Sequence, residues 1–263
     1  MNHLRVGIAG CAGRMGMALM SGVSATPGLT LSGGSVRPGS GLEATALMLR
    51  QGLGEIQVTD DIHALARRSD ALIDFTNASY SVQVADACAR AGIAHICGTT
   101  GLAEAQMERL KEAAMRIPLV WAPNMSIGVT LFASLVEQAA KVLDEEYDIE
   151  IYEMHHKHKK DAPSGTALAL GHAAAAGRAV ELDERAVFDR NGERARGSIG
   201  FASLRGGDVV GDHMVTFAGP GERFELTHRA SSREIYVRGA IMAAKWAKAQ
   251  PAGFYSMRDV LSL

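Results

Sequence analysis

Short apolar runs and helix-spaced segments alternate along the first half of the chain. The runs are Leu4–Ala9, Leu29–Val36, Ala71–Phe75, Ala94–Cys97 and Leu119–Ala122. Between them, Met15–Val23, Ile62–Ala66, Ser81–Ala91 and Ala103–Met115 repeat apolar residues at helical spacing. Continuous apolar strands that alternate with helices predict a parallel sheet covered on both faces. Pro27-Gly28 and Gly39–Gly41 supply the turns. Beyond residue 123 the rhythm changes. Val129–Leu143 and the Ala-rich Ser164–Ala176 predict helices, and Asp148–Met154 alternates as a strand with Ile149, Ile151 and Tyr152 among acids. Ile199–Leu204, His213–Ala218 and Arg223–Ala230 then predict strands, and Ile235–Lys248 a helix that returns to the first domain. The expected fold is α/β: a Rossmann-type, doubly wound parallel sheet over residues 1–125, joined by 235–263. A second α+β domain with an open mixed sheet spans 126–234.

Composition narrows the function classes. Lys plus Arg number 27 against 29 Asp plus Glu, a net charge of -2, without the basic excess of a dedicated nucleic-acid binder. The three cysteines include no C-x-x-C pair, which fits a reducing compartment. The chain runs from its first residues straight into a strand, without a signal peptide pattern. The uncharged stretch Ile117–Val136 holds Pro118, Pro123, Asn124 and Gly128 and makes a poor membrane span. A cytoplasmic protein is expected.

Two motifs carry chemistry. Gly10-Cys11-Ala12-Gly13-Arg14-Met15-Gly16 joins the first strand to the first helix. Its glycines admit a ligand close to the backbone, and the helix N-terminus behind them suits a pyrophosphate. Dinucleotide binding is the reading this predicts, against a tight turn that binds nothing. Gly98-Thr99-Thr100 and Ala122-Pro123-Asn124-Met125 follow later strands, where ligands of open α/β sheets sit, although each segment alone reads as an ordinary turn. The second motif is the basic run His155–Lys160, followed by Asp161-Ala162-Pro163-Ser164-Gly165-Thr166. Pro163 and Ser164 read as first-turn residues of a helix, with Asp161 as its cap. Cations beside N–H groups of Gly165 and Thr166 and the Thr166 hydroxyl would suit a small polyanion. A solvated basic face competes with that reading. A zinc site at His155, His156 and His158 does not fit, because no cysteine is near and the lysines repel a cation. A nucleic-acid patch lacks interleaved aromatics.

Taken together these segments resemble the dihydrodipicolinate reductase family, more fully 4-hydroxy-tetrahydrodipicolinate reductases. Val6–Gly16, Ile73–Thr76, Gly98–Gly101, Ala122–Val129 and Glu153–Ala167 carry the likeness. Gly200–Ala202, Gly206–Gly211 and Thr227–Arg233 extend it over nearly the whole chain. The resemblance implies NAD(P)H-dependent reduction of a small cyclic dicarboxylate in the diaminopimelate route to lysine, by a cytoplasmic homotetramer without metal, nucleic acid or membrane. By position it makes His155 and Lys159 the acid groups. It assigns His156, Lys159, Ser164, Gly165, Thr166 and Arg233 to substrate, and Gly10 to Met15, Gly98 to Thr100 and Ala122 to Met125 to cofactor. A histidine near its ordinary pKa of about 6.5 or a cation-crowded lysine can supply the proton. Where dual-cofactor relatives carry an acid followed by Arg after the second strand, this chain has Val36-Arg37, and the next acid is Glu43. NADPH is therefore expected to be preferred over NADH, with Arg37 as the phosphate partner. A related amino-acid dehydrogenase, or a nucleotide sensor on the same fold, is the alternative. Neither requires the His155–Thr166 block.

Overall fold

Residues 3–40 and 56–263 are described in a computed structural model of the chain; Gly41 and Glu43 lie outside the described residues. In chain order the elements are β1 (Leu4–Ala9), α1 (Arg14–Ala25), β2 (Leu29–Ser35), β3 (Val58–Thr59), α2 (Ile62–Arg67), β4 (Ala71–Asp74), α3 (Ala78–Ala91), β5 (Ala94–Cys97), α4 (Glu104–Ala114) and β6 (Pro118–Trp121). There follow α5 (Ile127–Val142), β7 (Asp148–His155), α6 (Gly165–Gly177), α7 (Leu182–Arg185), β8 (Ala186–Val187), β9 (Ile199–Arg205), β10 (Gly211–Gly219) and β11 (Glu222–Ala230). The chain ends with α8 (Glu234–Ala247), β12 (Gly253–Tyr255) and α9 (Met257–Leu261). Two compact units result: Met1–Ile127 with Tyr236–Ser262, and Gly128–Ile235 with Leu263. No helix among the described residues is long and apolar enough to cross a membrane.

The first unit holds a parallel sheet in the order β12-β6-β5-β4-β1-β2-β3. Successive strand residues point to opposite faces. Ile73 and Val120 therefore join one apolar layer with Leu19 and Val23 of α1 and Ala240 and Ala244 of α8. Leu72 and Leu119 join the other with Leu65 of α2, Val84 and Cys88 of α3 and Leu110 of α4. A Cβ at Gly239 would stand 1.7 Å from the carbonyl oxygen of Met125, so α8 packs directly on the loop after β6. The order reverses between β1 and β4. That switch leaves a crevice beyond the carboxyl ends of the strands.

The second unit holds a mixed sheet in the order β11-β10-β7-β9-β8, with β10 antiparallel to both neighbours and β9 parallel to both of its own. Phe132 and Val136 of α5 and Leu170 and Ala174 of α6 cover one face, against Ile149, Ile151, Val215 and Phe217. Along β7 every second residue is buried: Ile149, Ile151, Glu153, His155. The inward phase starts apolar and ends polar. That change of character places the second unit's chemistry.

Candidate functional site

In the first unit the chain leaves β1 through Gly10, whose φ of +68° favours glycine. A Cβ at Gly16 would meet the Gly10 carbonyl oxygen at 2.2 Å and Cys11 Cα at 2.7 Å, so the first turn of α1 lies tight on the loop. Gly13 caps α1 without a side-chain acceptor, and its first turn holds no acid. The start of α1 therefore keeps the positive character that attracts phosphate. A cleft of about 810 Å³ opens here, lined by Gly10, Ala12 and Gly13, by Val36 and Arg37, and by Phe75, Thr76 and Tyr80 among others. Among the described residues lining it there is no carboxylate, and Arg37 is the charged one. The glycines, the apolar walls and the cation fit a dinucleotide.

The cleft edge is set by a buried acid that motif spacing does not single out as a site residue. Asp74 Oδ1 accepts from the Thr76 N–H (2.9 Å) and hydroxyl (2.6 Å). The Thr76 N–H also donates to Thr99 Oγ1 at 3.1 Å, joining the ends of β4 and β5. Burial favours the protonated acid, yet His95, 3.5 Å away, and Thr76 outweigh it and hold Asp74 below the usual range. Asp74, His95 and Cys97 bring O, N and S atoms within 4.8 Å of one another.

In the second unit Glu153 and His155 share the buried face of β7. Parallel pairing sets Arg205 of β9 opposite His155, and antiparallel pairing sets His213 of β10 opposite Glu153. Glu153, 1% exposed, meets His155 Nδ1 at 2.5 Å through Oε2. The Arg205 guanidinium forks onto both oxygens, donating at 2.9 and 2.8 Å. Oε1 also accepts the Ser164 N–H at 3.3 Å. Ser164 is the N-cap of α6: its hydroxyl accepts from the Ala167 N–H at 3.1 Å and shares a 3.0 Å hydrogen bond with His213 Nε2. The His155 and His213 rings meet edge to face, 5.1 Å between centroids.

The expected positions divide as follows. Gly10, Ala12, Gly13 and Arg37 line the cleft; Arg14 is exposed at the start of α1. Cys11 and Met125 are buried, and burial pushes the Cys11 thiol up to about 11, so these residues present backbone rather than side chain. Met15 is half-buried against the core. Gly98, Thr99 and Thr100 follow β5, and Ala122, Pro123 and Asn124 follow β6, along the same sheet edge but outside the lining of that cleft. His155 and Ser164 belong to the Glu153 cluster, whose other members, Arg205 and His213, lie far along the sequence. His156 is held by its N–H to the Val209 carbonyl, 2.7 Å. Gly165 and Thr166 open α6. Arg233 is exposed between β11 and α8, outside the hydrogen bonds around Glu153.

Two expectations need correction. Ser164 caps α6 and helix begins only at Gly165; Asp161 instead takes the Lys159 ammonium at 2.9 Å. Pro163 accordingly precedes the cap. His155 is not near its ordinary pKa: burial lowers it, against the opposing pull of Glu153. For Glu153 burial acts upward, but Arg205 and then His155 outweigh it and hold the carboxyl below the usual range.

Comparison with known proteins follows the same two halves. The family described as "Dihydrodipicolinate reductase, N-terminus" matches residues 4–125, and "Dihydrodipicolinate reductase, C-terminus" matches 128–261. A 4-hydroxy-tetrahydrodipicolinate reductase of Beijerinckia indica is 50% identical, covering 100% of this chain and 99% of the relative. One of Thiobacillus denitrificans is 48% identical over 99% of each. Among solved structures, the dipicolinate-bound dihydrodipicolinate reductase from Paenisporosarcina sp. TG-14 shares the fold, with a TM-score of 0.79, 22% identity and 97% coverage of each chain. The scyllo-inositol dehydrogenase of Lactobacillus casei, with NAD(H) bound, shares it more distantly, with a TM-score of 0.62, 12% identity and coverage of 98% and 93%.

Burial first, and then neighbouring His155, push His213 down to about 4 from 6.5. Between those values the unfolded chain binds a proton at this residue that the folded unit refuses, so stability falls as pH drops through the window. The contribution is about 3 kcal/mol at most. Denaturant unfolding of wild type should weaken between about pH 7 and 4.5, and His213→Gln should flatten that dependence. Equal slopes in the two proteins would contradict the assignment.

Proposed function

Because the chain belongs to the dihydrodipicolinate reductase family, we propose that it reduces 4-hydroxy-tetrahydrodipicolinate, or the dihydrodipicolinate derived from it, to tetrahydrodipicolinate with NADPH as preferred donor. It is an NAD(P)H-dependent oxidoreductase of lysine biosynthesis with 4-hydroxy-tetrahydrodipicolinate reductase activity. The observation that carries the assignment of its site is the meeting of Glu153, His155, Arg205 and the α6 N-cap at one place in the second unit. In this reading the first unit holds the cofactor at Gly10 to Met15, Arg37, Gly98 to Thr100 and Ala122 to Met125. The second holds the ring at His156, Lys159, Ser164, Gly165 and Thr166, with Arg233 as a second cation. It also carries a homotetramer, supported by exposed Leu135, Val142 and Phe224 on the second unit. The cytoplasm is where it works.

When bound, the reduced nicotinamide supplies a hydride to the conjugated imine. The reduced ring then needs one proton, which His155 or Lys159 gives. Burial lowers the His155 pKa and so favours the neutral ring in the free protein. Two substrate carboxylates bring negative charge beside it and favour the imidazolium, so the acid is charged when the ring arrives. Lys159 exchanges Asp161 for a substrate carboxylate. Gly165, with no atom within 4 Å of where a Cβ would stand, leaves the backbone open to the other contacts of the ring.

Purified protein should oxidise NADPH when given freshly generated substrate; no turnover with either nucleotide would overturn the reading. Gly165→Ala meets no protein atom, so the fold should hold or gain about 0.5 kcal/mol, while KM rises about tenfold as the methyl meets the ring. Lys159→Ala should raise KM similarly. Unchanged KM in both would move the carboxylate cradle elsewhere.

Cofactor choice is tested at Arg37; the neighbouring Val36 is buried, and an acid there would disturb the core. With no carboxylate along the described cleft, the 2′-phosphate meets a cation and no repulsion. Wild type should favour NADPH in kcat/KM by about fivefold or more, the scale of one charge-assisted hydrogen bond. Arg37→Ala should erase that ratio by loss of NADPH efficiency alone. A wild-type preference for NADH would contradict the proposal.

A further inference from the structure

Glu153 takes four hydrogen bonds from His155, Ser164 and Arg205 and has almost no contact with solvent. A carboxylate taken from water is costly unless it is paired, and unpairing it leaves a buried charge. His155, Arg205 and Ser164 each belong to the site or hold a part of it. Oε2 receives His155 Nδ1, Oε1 receives the N–H of the Ser164 cap, and Arg205 bridges both oxygens. Arg205 is fixed in turn by donating to the Asp161 carbonyl at 2.6 Å, next to the Lys159–Asp161 pair. His155 Nε2 points toward Gly211, where a Cβ would stand 3.0 Å from it.

We propose that Glu153, clamped by Arg205, is a positioning residue for the reduction: it holds His155 with Nδ1 toward the carboxylate and Nε2 outward, and locks that ring to the N-terminus of α6. The proposal rests on the reading of His155 as the proton donor. Bound this way, the neutral ring carries its proton on Nδ1, leaving Nε2 to take up and return the working proton. A side chain at position 211 would crowd Nε2, since its Cβ would stand 3.0 Å from that atom. The charge on Glu153 also favours the imidazolium, against burial and against the cations Lys159 and Arg205. His213, the remaining ring packed on His155, adds no lasting charge, because its own pKa is pushed down to about 4.

The test is Glu153→Gln in the full-length enzyme, assayed across pH with NADPH and substrate. The limb on which activity falls with rising pH should move down by about one unit, the scale of an adjacent opposite charge. At neutral pH kcat should fall at least about tenfold, as expected for a misheld proton donor. Cofactor KM should stay unchanged, and Glu153→Asp, which keeps the charge, should restore part of the limb. A Gln variant that loses activity equally at all pH values, with the limb unmoved, would overturn the proposal and leave Glu153 a structural residue. Should that variant not fold, 15N-histidine NMR of wild type decides: the His155 ring must show the Nδ1–H tautomer, and an Nε2–H tautomer sinks the idea. His155→Asn separates the two layers. If it keeps wild-type kcat, the proton-donor reading itself is wrong, whereas an inactive His155→Asn beside an unshifted Glu153→Gln rejects the positioning role alone.

Discussion

One buried carboxylate organises the second unit. Glu153 sits on the inward phase of β7, where the two preceding inward residues, Ile149 and Ile151, are core. Placing a charge there is tolerable only because Arg205 arrives on one neighbouring strand and His155 two residues along on the same face. The cap of α6 supplies a further donor. The requirement works in both directions. The carboxylate needs these donors, and the donors are thereby fixed together beside the N-terminus of α6. Sheet register, helix start and acid are one arrangement.

The first unit meets a different constraint, that of close backbone approach. Gly10 turns through a positive φ, and Gly16 lets α1 press on the loop where any Cβ would collide with backbone. What results is a helix start without a side-chain cap, facing a cleft without acids among its described lining. Asp74 plays in this unit the part Glu153 plays in the other, a buried acid whose partners, Thr76 and Thr99, sit at strand ends beside the ligand crevice. In both units, a charged group inside the core sets loops that lie at its edge.

The long elements were legible because their patterns are strong: apolar strands between caps and turns, and helices of many turns with one buried face. The two-residue strands β3 and β8, and the short β12, α7 and α9, leave no such mark, because so few residues show no period. The glycine loop and the His155–Thr166 block stood out by composition. Glu153 heads that block but carries no role in the sequence reading, and Arg205 and His213 do not stand out, because their strand neighbours look ordinary. The signal was nevertheless present: Glu153 continues the alternation of Ile149 and Ile151, and His213 that of Val215 and Phe217. A polar residue on an inward phase predicts a partner across the sheet. Who the partner is depends on register, which Arg205, 52 residues away, could not reveal. The misplaced cap has a similar origin. Asp161 is a good capping residue in isolation, but Lys159 takes its carboxylate and Ser164 does the capping.

The central claim is that binding of the dicarboxylate charges His155. Titration calorimetry with pyridine-2,6-dicarboxylate, at neutral pH and in buffers of different ionisation enthalpy, measures this directly. The account predicts net proton uptake by the wild-type enzyme on binding, and its loss in His155→Asn. Tight binding by wild type with no uptake, or uptake that persists without His155, would contradict it.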